Sequence, residues 1–142
     1  MLGPRSSVLE QGASSLGSGA YSAVPKEGFE ELEVYRRAAA LADELRAMVL
    51  TRESVDQWTL GVQAIRAADS ICGNIAEASG RWSHPDQIRV LFIARGSATE
   101  LQNWLLRARA RNLPCPPNAS SRVERIGRML NGLIRRLPRH RE

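Results

Sequence analysis

The chain predicts an all-α fold, an antiparallel up-down four-helix bundle, on three observations. Apolar residues recur at three- and four-residue spacing through four long segments, and no segment alternates apolar and polar as a half-buried strand would. Ala, Leu, Ile and Arg dominate, with only two Phe, two Tyr and three Trp. These are helix-forming residues. The segments are joined by mostly short connections, so consecutive helices must double back on one another. A length of 142 residues suits one domain with one core.

Residues 1–28 are rich in Gly and Ser and poor in periodic apolar residues, so they read as a disordered tail, with order starting near Phe29. Residues 29–138 form the bundle domain and 139–142 a short basic tail. Helix 1 is expected over Glu30–Thr51, with Leu32, Tyr35, Ala38, Ala42, Leu45 and Val49 on one face. Glu30, Glu31 and Glu33 crowd its first turn, where negative charge suits the helix dipole. Helix 2 is expected over Ser54–Ser79. Ile65, Ala68, Cys72, Ile75 and Ser79 form its ladder, Ile71 and Ala78 lie beside them, and Gly80 stops it. Trp82 is expected to cover the end of the core.

Helix 3 begins at an N-cap, Ser83, followed by Pro85 and Asp86 in the first turn, and runs to about Arg111. Leu91, Ala94, Ala98, Leu101, Leu105 and Ala108 make its core face. Gly96, Ser97 and Ala98 are expected to admit a neighbouring helix closely. The segment Asn112–Ser120 holds three prolines and cannot be helical. Ser121 and Glu124 then read as a capping box for helix 4, which carries Val123, Ile126, Leu130, Leu133 and Leu137 and ends at Pro138.

Helix 3 has more apolar surface than a lone bundle needs. At roughly 100° per residue, Ile88, Phe92, Thr99 and Leu106 fall on a second strip about 120–150° from its core face. Trp104, with Val90 and Ile93, widens the core face on the other side. A helix apolar nearly all round is buried on more than one side. Ile88, Phe92, Trp104 and Leu106 are therefore candidates for an interface between copies of the chain.

The charge is uneven. Residues 1–106 carry ten basic and thirteen acidic side chains, net −3, and residues 107–142 carry ten basic and two acidic ones, net +8. On helix 4, Arg125, Arg128, Arg135, Arg136 and Arg139 share an arc of roughly 100° opposite the apolar face. Arg107 and Arg111 at the end of helix 3 add to it. Guanidinium forks match phosphate oxygens, and their binding releases counterions. These seven arginines are the candidate nucleic-acid contacts, for RNA or DNA backbone rather than base sequence.

Other classes of function find little here. Di-iron bundles need Glu-x-x-His pairs on facing helices. His84 and His140 are the only histidines, and neither has a Glu three residues earlier. Ser97 lacks the strand-to-helix turn of a hydrolase nucleophile. No phosphate-binding Gly-rich loop occurs. Glu77 is expected to pair with a neighbouring Arg rather than to act in catalysis. No catalytic residue, metal or cofactor is expected. Cys72 and Cys115 are expected to be reduced. No apolar run approaches the roughly 20 residues of a membrane span and no signal peptide is evident, so a cytoplasmic, non-enzymatic protein is expected.

Four segments also resemble a known family: FEELEVYRRA (Phe29–Ala38), SICGNIAEASGRWS (Ser70–Ser83), IRVLFIARGSATELQ (Ile88–Gln102) and RIGRMLNGLIRRL (Arg125–Leu137). They resemble the 23S rRNA intervening-sequence proteins, and the helix 4 segment is similar to the accessory variability proteins of diversity-generating retroelements. The resemblance implies a ring-shaped homopentamer of up-down bundles and a nucleic-acid role, with a reverse transcriptase as partner in one branch. It brings no catalytic residues. Cys72 stands where the family usually has proline and Ala78 where it usually has glycine, which favours a more regular helix 2. The alternative reading of the chain is an assembly or adaptor module whose partner is another protein.

Overall fold

In a computed structural model the described residues are 24–51 and 53–138. They form a 3-10 turn, Phe29–Glu31, and four α-helices: α1 (Glu33–Leu50), α2 (Val55–Gly80), α3 (His84–Ala110) and α4 (Ala119–Arg136). The fold is all-α, with no strand among the described residues. Each helix packs on the next in sequence, α4 also packs on α1, and α2 with α3 share the most extensive contact.

The core contains most of the residues that spacing predicted; on α1 Ala38, Ala42, Leu45 and Val49 are buried together with Val34 and Leu41, while Leu32 and Tyr35 are only half-buried. All six expected core residues of α3 and all five of helix 4 are buried. On α2 the buried stripe is Leu60, Ala64, Ala67, Ala68, Ile71, Ile75 and Ala78, with Ile65 and Cys72 only half-buried at its edge. The helix runs unbroken through Cys72. Packing also begins earlier than the expected Phe29, because Val24 is fully buried in the core. The expected tail at residues 1–23 and Arg139–Glu142 lie outside the described residues.

Helix ends follow local chemistry. Ser54 and Ser83 each accept the backbone N–H three residues on, at Gln57 (3.1 Å) and Asp86 (3.3 Å). Leu32, extended, separates the 3-10 turn from α1, so Glu30 and Glu31 precede the helix rather than start it. The expected Ser121–Glu124 capping box does not form. Asn118, in the left-handed conformation at φ 57°, caps α4 instead, and Ser121 Oγ donates to its carbonyl at 3.0 Å. Asn tolerates that conformation well. Gly80 is the last residue of α2 and does not take a positive φ, the stop falling at extended Arg81.

Two expectations about close packing are corrected. Trp82 does not cover the core: it is 89% exposed, with Lys26 Nζ 4.8 Å from its ring centroid. Gly96 faces no neighbour, whereas Gly61 on α2 sits directly against Val49 of α1. Ser97 does meet another helix. Its hydroxyl lies 2.8 Å from Ser70 Oγ on α2, and Asn74 Nδ2 donates to the Ser70 carbonyl and hydroxyl at 2.8 and 3.1 Å.

Candidate nucleic-acid interface

The outer surface where α1 lies beside α4 forms an open groove. Its floor is apolar, from Leu32 and Val34 on one side and Met129 and Leu133 on the other. Arg125, Arg128 and Arg136 line its α4 wall, one helical turn or two apart, so the helical period brings them to one side. Gly132 leaves space between them, since nothing lies within 4 Å of where its Cβ would be. A second hollow continues from Glu33 past Arg36, Arg37 and Ala40 to Arg122. The two hollows share Glu33.

Charge in this groove is partly spent internally. Arg37 donates from Nε (2.8 Å) to one oxygen of Glu33, its Nη2 lies 2.6 Å from that oxygen as an ion pair, and Arg125 Nη2 lies 4.0 Å from it. The Arg37 hydrogen bond, with its charge, holds the Glu33 carboxyl below the usual carboxylate range. Arg36 reaches Glu31 at 3.6 Å. Arg122 forks onto both oxygens of Glu44 at 2.9 and 2.6 Å, tying α4 to α1, and this hydrogen bond lowers the Glu44 carboxyl. Arg128 and Arg136 are exposed and carry no ion pair among the described residues.

The seven arginines expected to act together are therefore only partly gathered. Arg125, Arg128 and Arg136 share the groove. Arg135 is exposed but does not line it, and Arg139 lies outside the described residues. Arg107 and Arg111 are exposed at the other end of the molecule, and Arg111 faces Asp56 at the start of α2, 3.6 Å away. The end of α3 meets the start of α4, as the Arg109–Ser120 (3.0 Å) and Gln102–Ser120 (3.1 Å) hydrogen bonds show. Arg136 follows Ser120 by 16 residues, about 24 Å of helix. Sequence reasoning missed Arg36 and Arg37. Their adjacency in a run after Glu33 is ordinary for a solvated helix face, and only the packing of α4 beside α1 turns them toward the stripe.

The α3 candidates also separate. Phe92 is 39% and Leu106 54% exposed, but Ile88 is half-buried against the core. The Arg95 guanidinium covers one face of Phe92 at 4.7 Å while Arg95 Nη1 donates to Asn131 of α4 at 2.8 Å. Trp104 is half-buried on the core and lines a cavity of about 30 Å³ with Gly61, Leu105 and Cys115, its Nε1 buried without a partner. Ile93, expected to widen the core face, is 47% exposed.

Among the described residues no three His, Cys, Asp or Glu side chains are grouped as metal ligands. Cys72 and Cys115 are both free thiols. Burial pushes the Cys72 thiol up to about 11 and raises Cys115 as well. Glu77 is engaged by Arg81 at 2.6 Å, as the sequence suggested. No described helix is long and apolar enough to cross a membrane.

A search of curated proteins finds no match. The family model described as 23S rRNA-intervening sequence protein matches residues 30–132, which takes in α1, α2, α3 and most of α4. This four-helix chain belongs to the 23S rRNA-intervening sequence protein family.

Proposed function

We propose that the protein is a non-enzymatic, oligomeric four-helix bundle that binds the backbone of RNA or DNA through the arginine-lined groove between α1 and α4. The observation that carries this reading is the gathering of Arg125, Arg128 and Arg136 on one wall, with Arg128 and Arg136 exposed and without an ion pair among the described residues. Guanidinium groups on an exposed helix face suit phosphate oxygens, and no base-reading motif accompanies them, so recognition is of charge rather than sequence. Family membership supports the same direction.

The antiparallel arrangement is supported by the order of contacts between helices. Asp56 opens α2 and pairs with Arg111 just after α3, while Ser70 and Ser97 meet near their middles. Assembly into a homopentameric ring is implied by the family resemblance and supported by Phe92, Ile93 and Leu106, large apolar residues exposed on one helix. An exposed apolar surface suits such a contact. It also favours the second reading, an adaptor whose partner is a protein such as a reverse transcriptase.

Retention on immobilised RNA or DNA should fall steeply with salt, and Arg128→Glu with Arg136→Glu should abolish it while the circular dichroism spectrum is unchanged. Salt-insensitive binding, or none, refutes the nucleic-acid reading. Recovery of a specific protein after nuclease treatment favours the adaptor. Light scattering of the wild type and of Phe92→Glu tests the assembly: a wild-type mass equal to the 15.7 kDa monomer refutes it.

A further inference from the structure

We propose that Glu33 is an internal anion occupying the nucleic-acid groove, that a bound phosphodiester strand displaces it, and that Arg36 and Arg37 of α1 form the second wall of that site. The inference rests on the groove reading above and extends it to α1. Glu33 is the one residue common to both hollows, so a strand running along the groove must pass it. Its Oε2 accepts the Arg37 Nε hydrogen bond, lies 2.6 Å from Arg37 Nη2 and 4.0 Å from Arg125 Nη2 on the opposite wall, so it engages guanidinium groups that a phosphate would otherwise use. A carboxylate held between the two walls stands in for a phosphate. It competes for the same forks, and while in place its charge repels the strand.

The contact is built to open. Glu33 is 53% and Arg37 40% exposed, and such a solvated pair holds weakly. Arg36 adds a further cation on the same helix, its Glu31 partner being 3.6 Å away rather than in close contact. Once Glu33 swings clear, Arg36, Arg37, Arg125, Arg128 and Arg136 face one strand from two helices. Glu77 with Arg81 supplies an internal control. It is the same i,i+4 pair at the same 2.6 Å distance, but on α2, whose residues do not line the groove.

The test is fluorescence anisotropy of a labelled oligouridine RNA with full-length protein at about 50 to 200 mM salt, a range over which backbone contacts are strongly salt-dependent. Glu33→Gln should tighten binding about three- to tenfold and steepen the log Kd against log salt slope by about 0.7, one added phosphate contact. Glu77→Gln, with the same change in net charge, should leave both within experimental error. Adding Arg36→Gln and Arg37→Gln to Glu33→Gln should cancel the gain, with thermal unfolding confirming the fold of each variant. If Glu33→Gln changes nothing while Arg128→Glu with Arg136→Glu still abolishes binding, the groove reading stands and the role of Glu33 is overturned. Equal gains from Glu33→Gln and Glu77→Gln overturn it too, as a net-charge effect. If neither wild type nor Glu33→Gln binds, both readings fall; binding by Glu33→Gln alone supports both.

Discussion

Replacing Gly61 with alanine tests the packing of α1 against α2 at a single atom. A Cβ at Gly61 would overlap Val49 Cγ2, well inside contact distance, with Val49 Cβ at 3.5 Å and Cγ1 at 3.9 Å. Val49 cannot easily yield. It is 5% exposed, and a β-branched side chain in a helix has one strongly preferred χ1. Overpacking of this kind costs about 1–3 kcal/mol, while Ala in place of Gly inside a helix returns about 1 kcal/mol. Gly61→Ala should therefore lose roughly 0–2 kcal/mol. At Gly127 and Gly132 nothing lies within 4 Å of the added carbon, so alanine there should gain up to about 1 kcal/mol. The two classes should differ by about 1–3 kcal/mol, roughly 4–12 °C in Tm for a domain of this size. Urea and thermal unfolding at one fixed protein concentration, followed by far-UV circular dichroism, measure the difference. Val49→Ala should partly rescue Gly61→Ala, with a coupling of about 0.5–3 kcal/mol. Gly61→Ala as stable as Gly127→Ala, or strict additivity with Val49→Ala, would refute the close approach.

Three other outcomes follow from named contacts. Ser97→Ala should cost about 0.5–1.5 kcal/mol by removing its hydrogen bond to Ser70, which keeps only the one from Asn74, while Ser70→Ala with Ser97→Ala should cost less than the two single changes summed, as denaturant unfolding will show. The Glu44 carboxyl is lowered by Arg122, so its contribution is present above the ordinary value of 4.5 and is lost as pH falls through the folded value. Arg122→Gln should flatten the loss of stability below pH 4.5 and cost no more than about 1 kcal/mol near neutrality, this being a half-exposed pair. The Cys72 thiol, raised from 9.0 to about 11, favours its neutral form in the fold, a stabilisation complete below pH 9 and lost toward 11. In a Cys115→Ser background, labelling of Cys72 near pH 8 should be about 100-fold slower in the native than in the unfolded protein, since only the thiolate reacts. Equal rates would contradict the burial.

Helical spacing carried most of the fold, because a residue's place on a helix depends only on its neighbours three and four positions away. Leu91, Leu101, Ile126 and Leu130 were legible for that reason, and the cap at Ser83 was legible from the Pro85 and Asp86 that follow it. The start of α4 was not. Ser121 and Glu124 have capping-box spacing, but Asn118 reaches the left-handed region just after Pro117 and the helix begins before the box can form. Trp82 was misplaced because an aromatic in a turn gives no sign of whether it turns in or out. The site was legible only within α4. Spacing placed Arg125, Arg128 and Arg136 together, yet nothing in it could say that α1 would supply Arg36, Arg37 and Glu33, or that Arg122 would reach Glu44 across 78 positions. Arg107 and Arg111 were joined to the stripe by nearness in sequence, which the length of α4 undoes.

α2 and α3, which share the most extensive contact, bury many small residues along their seam: Ala64, Ala67, Ala68, Ala78 and Ser79 on one helix, Ala94, Ser97, Ala98 and Ala108 on the other, beside larger ones such as Ile71 and Leu101. Residues this small have nothing to give up. Trimming alanine to glycine removes one methyl and loosens the helix, and enlargement at a buried alanine must displace its packed neighbours. Variation along this seam is consequently one-sided, open to exchange among Gly, Ala and Ser and closed to nearly everything else. The large side chains of α4, Ile126, Leu130 and Leu133, can trade shape with one another as the seam cannot. Over long divergence α4 is thus the helix free to drift in its core while α2 and α3 stay close to their present residues.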